Sequence, residues 1–292
     1  MKSNKHRLHL VHKRLNRSFG GDIPIIVFLT IIALAMALPI IYAVGNAFKP
    51  LEEFWMFPPH FWPENPTLQN FRDMIFLVGN STVPFSRYLF NTMFITVVGT
   101  AGLIILASMC AFPLAKRKFP GSKLVFSIIV TALMFNGTVT AIPSYMVMSR
   151  LHMVDTYWAI IIPAFGLPIG LYLMKQFMEQ MIPDSLLEAA VLDGAGDPTI
   201  FLKIVMPLVR PAWLTLIIFS VQNLWGIGQN VLIYSEELKT LAYSLSQFST
   251  GGLARAGVGG AVNFVMLLVP IMVFILTQSN ITQTMATSGM KD

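Results

Sequence analysis

The sequence predicts an all-α integral membrane protein with six transmembrane helices, both termini cytoplasmic, and a short cytoplasmic helix between the fourth and fifth spans. Three observations predict it. Hydrophobic residues make up 55% of the 292 residues and charged residues only 12%, where a soluble globular chain carries roughly 25% charge. Apolar runs of about 20 residues, the length that crosses a hydrocarbon layer, recur along the chain. Lysine and arginine gather on alternate connections, as the positive-inside rule requires. A mean hydropathy of +0.67 also leaves too little polar surface for a water-exposed fold, and the wealth of Leu, Ile, Val and Phe excludes a disordered chain.

In chain order the expected spans are residues 25–44, 91–114, 124–148, 157–174, 212–231 and 261–281. The first follows a basic lead of Lys2, Lys5, Arg7, Lys13, Arg14 and Arg17. Its apolar run exceeds a signal-peptide core and no small-residue cleavage site follows, so it is expected to be a retained helix. The fourth is short and holds Pro163, Gly166 and Pro168, while Pro39, Pro113, Pro143 and Pro270 fall in or near other spans. Bundle neighbours can satisfy the carbonyls that such prolines leave free. The cytoplasmic side takes the basic lead, Lys116, Arg117, Lys118, Lys123, Lys175, Lys203, Arg210 and Lys291. Lys49, Arg72, Arg87, Arg150, Lys239 and Arg255 remain outside. The chain thus divides into a basic tail (1–24), a membrane domain (25–281) and a C-terminal tail (282–292).

The first outer loop, residues 45–90, is broken by Pro50, Pro58, Pro59, Pro63, Pro66 and Pro84. Phe54, Trp55, Phe57, Phe61 and Trp62 place part of it along the membrane interface, which aromatic rings favour. The second, residues 234–260, ends in Gly251, Gly252, Gly257, Gly259 and Gly260, expected to permit tight loop excursions.

No catalytic constellation emerges. His6, His9, His12, His60 and His152 all lie outside the spans. The first three recur every third residue, but in a solvated basic tail rather than in a defined ligand set. The single Cys110 excludes an intrachain disulfide and any zinc spacing, and is expected to be a small packed hydrophobe. Hydrolase and phosphate-loop signatures are absent, and the implied surroundings are a lipid bilayer rather than nucleic acid. The spans hold no ionisable residue well inside their ends, against the habit of secondary transporters. Neutral polar residues do occur: Asn136, Thr138 and Thr140 in the third span, and Gln222, Asn223, Gln229 and Asn230 with Trp225 in the fifth. They fit either interhelical hydrogen bonding or a path for a neutral, hydroxyl-rich solute.

The cytoplasmic connection, residues 175–211, differs from the other loops. Pro183 suits a first helical position and Asp184 the positive end of the helix dipole. Gly194 and Gly196 supply helix-stopping conformations, and Asp197-Pro198 is a cap followed by a first-turn proline. Ser185, Glu188, Ala189 and Leu192 share one face. The small Ala189 and Ala190 would let a partner approach the backbone closely. The pattern describes a docking knob outside the bilayer.

Glu188-Ala189-Ala190, Gly194 after three residues, Ile204 after nine more and then Met206-Pro207 resembles the EAA motif of permease subunits in binding-protein-dependent ABC importers. Its consensus is E-A-A-x3-G-x9-I-x-L-P, from which the chain departs by Met206. Asp193-Gly194-Ala195 with Pro211 is similar to the MalG-type second permease of the carbohydrate branch. So are Asn65-Pro66-Thr67, Asn70-Phe71 and the tail Thr287-Ser288-Gly289-Met290-Lys291, although such tails often end in glycine and this one ends in Asp292.

The resemblance implies a coupling helix seated in a groove of a cytoplasmic ATPase. Glu188 would give a polar contact there, Ala189 and Ala190 close packing, with Leu192 and Asp193 alongside. Gly194 would make the bend and Pro207 the return to the membrane. It further implies a second homologous permease, two ATP-binding cassette subunits that hold ATP and Mg, and an extracytoplasmic solute-binding protein. The second outer loop would meet that receptor at Tyr243, Gln247, Gly251 and Gly252, and a carbohydrate would pass Asn136, Gln222, Asn223, Trp225, Gln229 and Asn230. This chain would need no cofactor and catalyse nothing, and would sit in the bacterial cytoplasmic membrane. Alternatives are an ABC importer for amino acids or ions, or a stand-alone secondary transporter.

Overall fold

The computed structural model describes residues 19–79, 83–135, 137–228, 230–249 and 252–288. Every regular element among them is helical: α1 (Phe19–Phe48), α2 (Gln69–Gly79), α3 (Phe85–Lys116), α4 (Ser122–Ala132), α5 (Gly137–Arg150), α6 (Trp158–Phe165), α7 (Pro168–Met181), α8 (Asp184–Leu192), α9 (Asp197–Thr199), α10 (Met206–Leu208), α11 (Arg210–Trp225), α12 (Leu241–Ser249) and α13 (Ala256–Ser288). The first and last helices overrun the expected boundaries, because their apolar segments continue into polar ends without a stop signal.

Among the described residues, four helical stretches are long and apolar enough to cross a membrane: residues Ile23–Phe48 of α1, all of α3, α6 with α7 over Trp158–Met181, and Ala256–Gln278 of α13. The other two expected spans are bent. The helices α4 and α5 meet at 109°, and the run Asp197–Leu208 turns by 74° into α11. The second bend has a chemical cause. Pro207 and Pro211 have no N–H to give the carbonyls four residues earlier, and Val209 between them leaves helical geometry at ψ 23°. Upstream of Pro207 the ladder widens into a π turn over Ile200–Val205, with the Met206 N–H donating to the Phe201 carbonyl.

The centre of the molecule is α3, whose 32 residues span roughly 48 Å at 1.5 Å per residue. It packs against α6, α7 and α11. Around its inner half lie Leu103, Ala107, Ala111, Met174, Met178, Ile182, Ala190, Ile200 and Leu216. At its outer end Tyr88 joins Met74, Val78, Trp225, Leu241, Leu245 and Val262. Small residues allow this contact, as is usual between membrane helices: a Cβ on Gly102 would fall 2.0 Å from the Phe165 ring. The helix α13 holds α1, α2, α11 and α12 together, and the expected loop residues Gly257, Gly259 and Gly260 form its first turns. Gly257 and Gly260 serve close helix approach rather than loop excursions. A Cβ on Gly260 would meet the Asn46 carbonyl oxygen at 2.5 Å.

The first outer loop is fastened by buried polar groups. Lys49, 2% exposed, donates to the His60 carbonyl at 2.6 Å. The Glu53 carboxylate accepts from the Glu64 and Asn65 amides at 3.1 and 3.0 Å. Asn70, within the motif noted above, donates to the Ala47 and Lys49 carbonyls at 3.0 and 2.8 Å and so closes the end of α1. Trp55, Phe57 and Trp62 are exposed. Cys110 is exposed rather than packed and lines an apolar cavity of about 500 Å³ with Ile128, Phe165 and Leu171.

Candidate functional site

The helix α8 begins one residue later than its proline implied. Pro183 is the N-cap, with ψ 138°, and Asp184 takes the first helical position. The Asp184 carboxylate turns aside to accept from Lys116 at 2.9 Å. That hydrogen bond and the charge behind it hold the acid below its ordinary pKa. At the other end Gly194 adopts φ +83°. The Gly194 and Ala195 amides then reach back to the Val191 and Ala190 carbonyls at 3.0 and 2.9 Å, the Schellman closure of a helix by a left-handed glycine.

One side of α8 is glued to its own subunit. Ala190 is 7% exposed within the inner core, and Leu187 and Ala195 pack beside it. The smallness of Ala190 therefore serves the intramolecular contact and not a partner's approach. Ser185, Glu188, Ala189 and Asp193 face outward, with Leu192 88% and Val191 52% exposed. Pro207 is exposed at the bend that returns the chain toward α11. Ser185, Glu188, Ala189 and Leu192, the face expected on helical spacing, are all exposed, and Ala190 lies on the opposite, buried side.

Two cations at the inner end of α3 bracket this loop. Lys116, whose side chain is 6% exposed, also donates to the Ile182 carbonyl at 2.6 Å, and so ties the end of α7 to the start of α8. Arg117 pairs with Asp197, the first residue of α9. Asp197 therefore stands one place later than a cap, with its carboxylate turned to the guanidinium. In the sequence Lys116 and Arg117 signal only orientation; the sign of something more is that two carboxylates each head a short helix downstream.

The described members of the proposed path differ in their surroundings. Gln222 and Asn223 are exposed on α11. Trp225 is 5% exposed in the outer core, and its indole N–H has no hydrogen-bond partner. So buried, the ring is not open to a solute in this subunit, unlike the amides of Gln222 and Asn223. Asn230 is half-buried and accepts from the Leu232 amide at 2.8 Å. Asn136 and Gln229 lie outside the described residues, as do Gly251 and His6, His9 and His12.

The second outer loop is an anchored structure. Asn91, fully buried, donates to the Glu237 and Lys239 carbonyls, each at 2.8 Å, and accepts from the Tyr157 hydroxyl at 2.7 Å. Thr92 accepts from the Leu241 amide at 2.7 Å, and the Tyr88 hydroxyl donates to Glu236 at 2.8 Å. Lys239 donates to Glu236 at 2.7 Å and to the Tyr243 hydroxyl at 2.8 Å. Burial pushes the Glu236 acid up and the Lys239 ammonium down, but their mutual bond and charge outweigh it, so Glu236 lies below and Lys239 above its ordinary pKa. Asp155, at φ +62°, accepts from the Tyr234 and Ser235 amides at 3.0 and 2.9 Å. Burial would raise its pKa, but the bonds from Ser235 and Tyr234 hold it below the usual value. Of the expected receptor-contact residues, Tyr243 is half-buried, Gln247 is exposed, and Gly252 stands at φ +64°.

Comparison with known proteins agrees with this architecture. Protein LplC of Bacillus subtilis (strain 168) is 31% identical over 228 residues, covering 78% of this chain and 74% of its own. The polygalacturonan/rhamnogalacturonan transport system permease protein YtcP of the same organism is 34% identical over 224 residues, covering 75% of this chain and 73% of its own. A crystal structure of a bacterial ABC transporter involved in the import of the acidic polysaccharide alginate superposes with a TM-score of 0.74 at 25% identity, over 91% of this chain and 99% of that one. Residues 103–277, which include α8 and its clamp partners Asp184 and Asp197, match the binding-protein-dependent transport system inner membrane components, and the chain belongs to that family.

Proposed function

We propose that this chain is one of two membrane-spanning permeases of an ATP-driven carbohydrate importer, with an oligosaccharide as the solute. It crosses the bacterial cytoplasmic membrane six times, counting α4–α5 and residues 197–225 as one crossing each, with both termini inside. ATP and Mg are held by two cytoplasmic ATPase subunits, a receptor outside delivers the sugar, and this chain performs no covalent chemistry. The relative named for polygalacturonan/rhamnogalacturonan transport and the likeness to an alginate importer support the solute class. Gln222 and Asn223, exposed amides on α11, are suited to hydroxyl groups in the path shared with the second permease.

The observation that carries the docking role is the outward face of α8, where Leu192 stands 88% exposed on a helix whose opposite side is locked into the core. A large apolar side chain so displayed, ringed by Glu188 and Asp193, is the composition of an interface anchor with a polar rim. Glu188→Lys and Leu192→Asp should each insert into the membrane normally yet lower copurification of the ATPase subunits by about tenfold or more, as loss of an anchor does. Undiminished copurification in both variants would refute the docking role. The solute class is tested separately, by a glycan-binding profile of the solute-binding protein that copurifies with the importer; a receptor for amino acids would overturn it.

A further inference from the structure

We propose that α3 is a strut that carries motion from the cytoplasmic docking helix to the outer loop, and that Lys116 and Arg117 at one end, with Tyr88, Asn91 and Thr92 at the other, are the positioning residues that fasten it. The proposal rests on the reading of α8 as the ATPase-docking helix and goes beyond it by naming the transmission element.

Both ends of one continuous helix grip separate loops, through the buried side chains of Lys116, Tyr88, Asn91 and Thr92 and the half-exposed pair of Arg117 with Asp197. At the inner end Lys116, 6% exposed, holds the α7–α8 junction through the Ile182 carbonyl and Asp184 at 2.6 and 2.9 Å. Arg117 holds the far side of the same loop through Asp197. Its own amide bonds the Pro113 carbonyl at 3.0 Å, so the backbone that carries the cation belongs to the end of the helix rather than to a free linker. A coupling loop pinned at entry and exit cannot tilt without α3. At the outer end Asn91 and Thr92 take three hydrogen bonds with the segment from Glu237 to Leu241, and Tyr88 adds the bond to Glu236. The segment so held leads directly into α12.

Between the grips the helix is supported sideways. Leu224 and Phe165 lie against the backbone at Gly99 and Gly102, and the buried Thr100 hydroxyl donates to Ser220 at 2.9 Å. Close packing of this kind makes an element move as a body instead of bending, and coupling between distant sites needs such a physically connected element.

The test uses the full importer in lipid nanodiscs, with Cys110→Ser as background. Spin labels at Ser185→Cys on α8 and Ser246→Cys on α12 are each paired in turn with one label on the second permease, and then with one another. Distances are measured without nucleotide and with ATP in the presence of vanadate. Nucleotide should shift both labels relative to the second permease while leaving the distance between Ser185 and Ser246 unchanged. Lys116→Met, Arg117→Asp and Thr92→Val should keep the shift at Ser185 and lose it at Ser246. The exchange of Arg117→Asp with Asp197→Arg should restore it, which mere damage to packing would not allow. A Ser246 shift that survives the clamp variants, or a Ser185–Ser246 distance that changes in the wild-type chain, overturns the strut. Absence of any nucleotide-driven shift at Ser185 is a different result: it removes the docking role of α8, and the strut falls with it.

Discussion

Gly194 illustrates what a single residue contributes here. Its φ of +83° lets the Gly194 and Ala195 amides close α8 on the Val191 and Ala190 carbonyls. A Cβ at this position would meet nothing within 4 Å. Any penalty of substitution is therefore conformational, about 1–2 kcal/mol for an L-residue in the left-handed region. Gly194→Ala should fold and assemble, yet the amides of Asp193, Gly194 and Ala195 should exchange roughly 5–30-fold faster, the factor that such an energy implies for local opening. Gly194→Asn, whose side chain tolerates that region, should lie between the two. Equal exchange in all three would show that the closure does not depend on the backbone angle. The glycine was legible in the sequence from its place behind an apolar helical stretch. Lys116 was not, because its partners Ile182 and Asp184 lie far along the chain and only the fold brings them near.

Among the elements, the helix-to-helix seams set how much change is tolerated. The start of α13 passes the end of α1 so closely that a Cβ on Gly260 would fall 2.5 Å from the Asn46 carbonyl oxygen and 2.8 Å from its carbon. Backbone cannot move aside as a side-chain tip can. Gly260→Ala should therefore destabilise the subunit by about 1–3 kcal/mol, the usual range for overpacking, and lower the unfolding temperature of the detergent-purified protein. Gly79→Ala, where a Cβ meets no atom within 4 Å, serves as the control and should leave it unchanged. An unaltered temperature for Gly260→Ala would mean that the seam is looser than the geometry states.

The contrast with the sequence is instructive for both kinds of element. Residues 25–44, 91–114 and 261–281 were legible as helices because lipid demands long apolar segments with internal backbone hydrogen bonds. The bend at Val209 was hidden, since either Pro207 or Pro211 alone could have kinked a helix without ending it. Among the glycines of the second outer loop, Gly252 takes the expected left-handed turn, but Gly257 and Gly260 misled, because composition does not distinguish a turn glycine from one that makes room for a neighbouring element.

The whole molecule joins two polar zones through an apolar waist. Lys116, Arg117, Asp184 and Asp197 form the first zone at one end of α3, and Tyr88, Asn91, Glu236 and Lys239 form the second at the other. The core along the waist is composed of Leu103, Ala107, Ile161, Ala164 and their neighbours. On the proposed topology the two zones lie on opposite faces of a bilayer, with the Lys116 side, richer in lysine and arginine, in the cytoplasm. In a Cys110→Ser background, a membrane-impermeant maleimide should label Leu68→Cys and Ser246→Cys in intact cells. Lys118→Cys and Ser185→Cys should react only after the membrane is opened. All four positions are exposed on the isolated subunit. Protection by a partner is separated from sidedness by repeating the reaction on permeabilised membranes stripped of ATPase subunits. Labelling of Ser185→Cys from outside would invert the molecule, place α8 where no ATP-driven motor works, and break the chain of inference from the Lys116 clamp to transport.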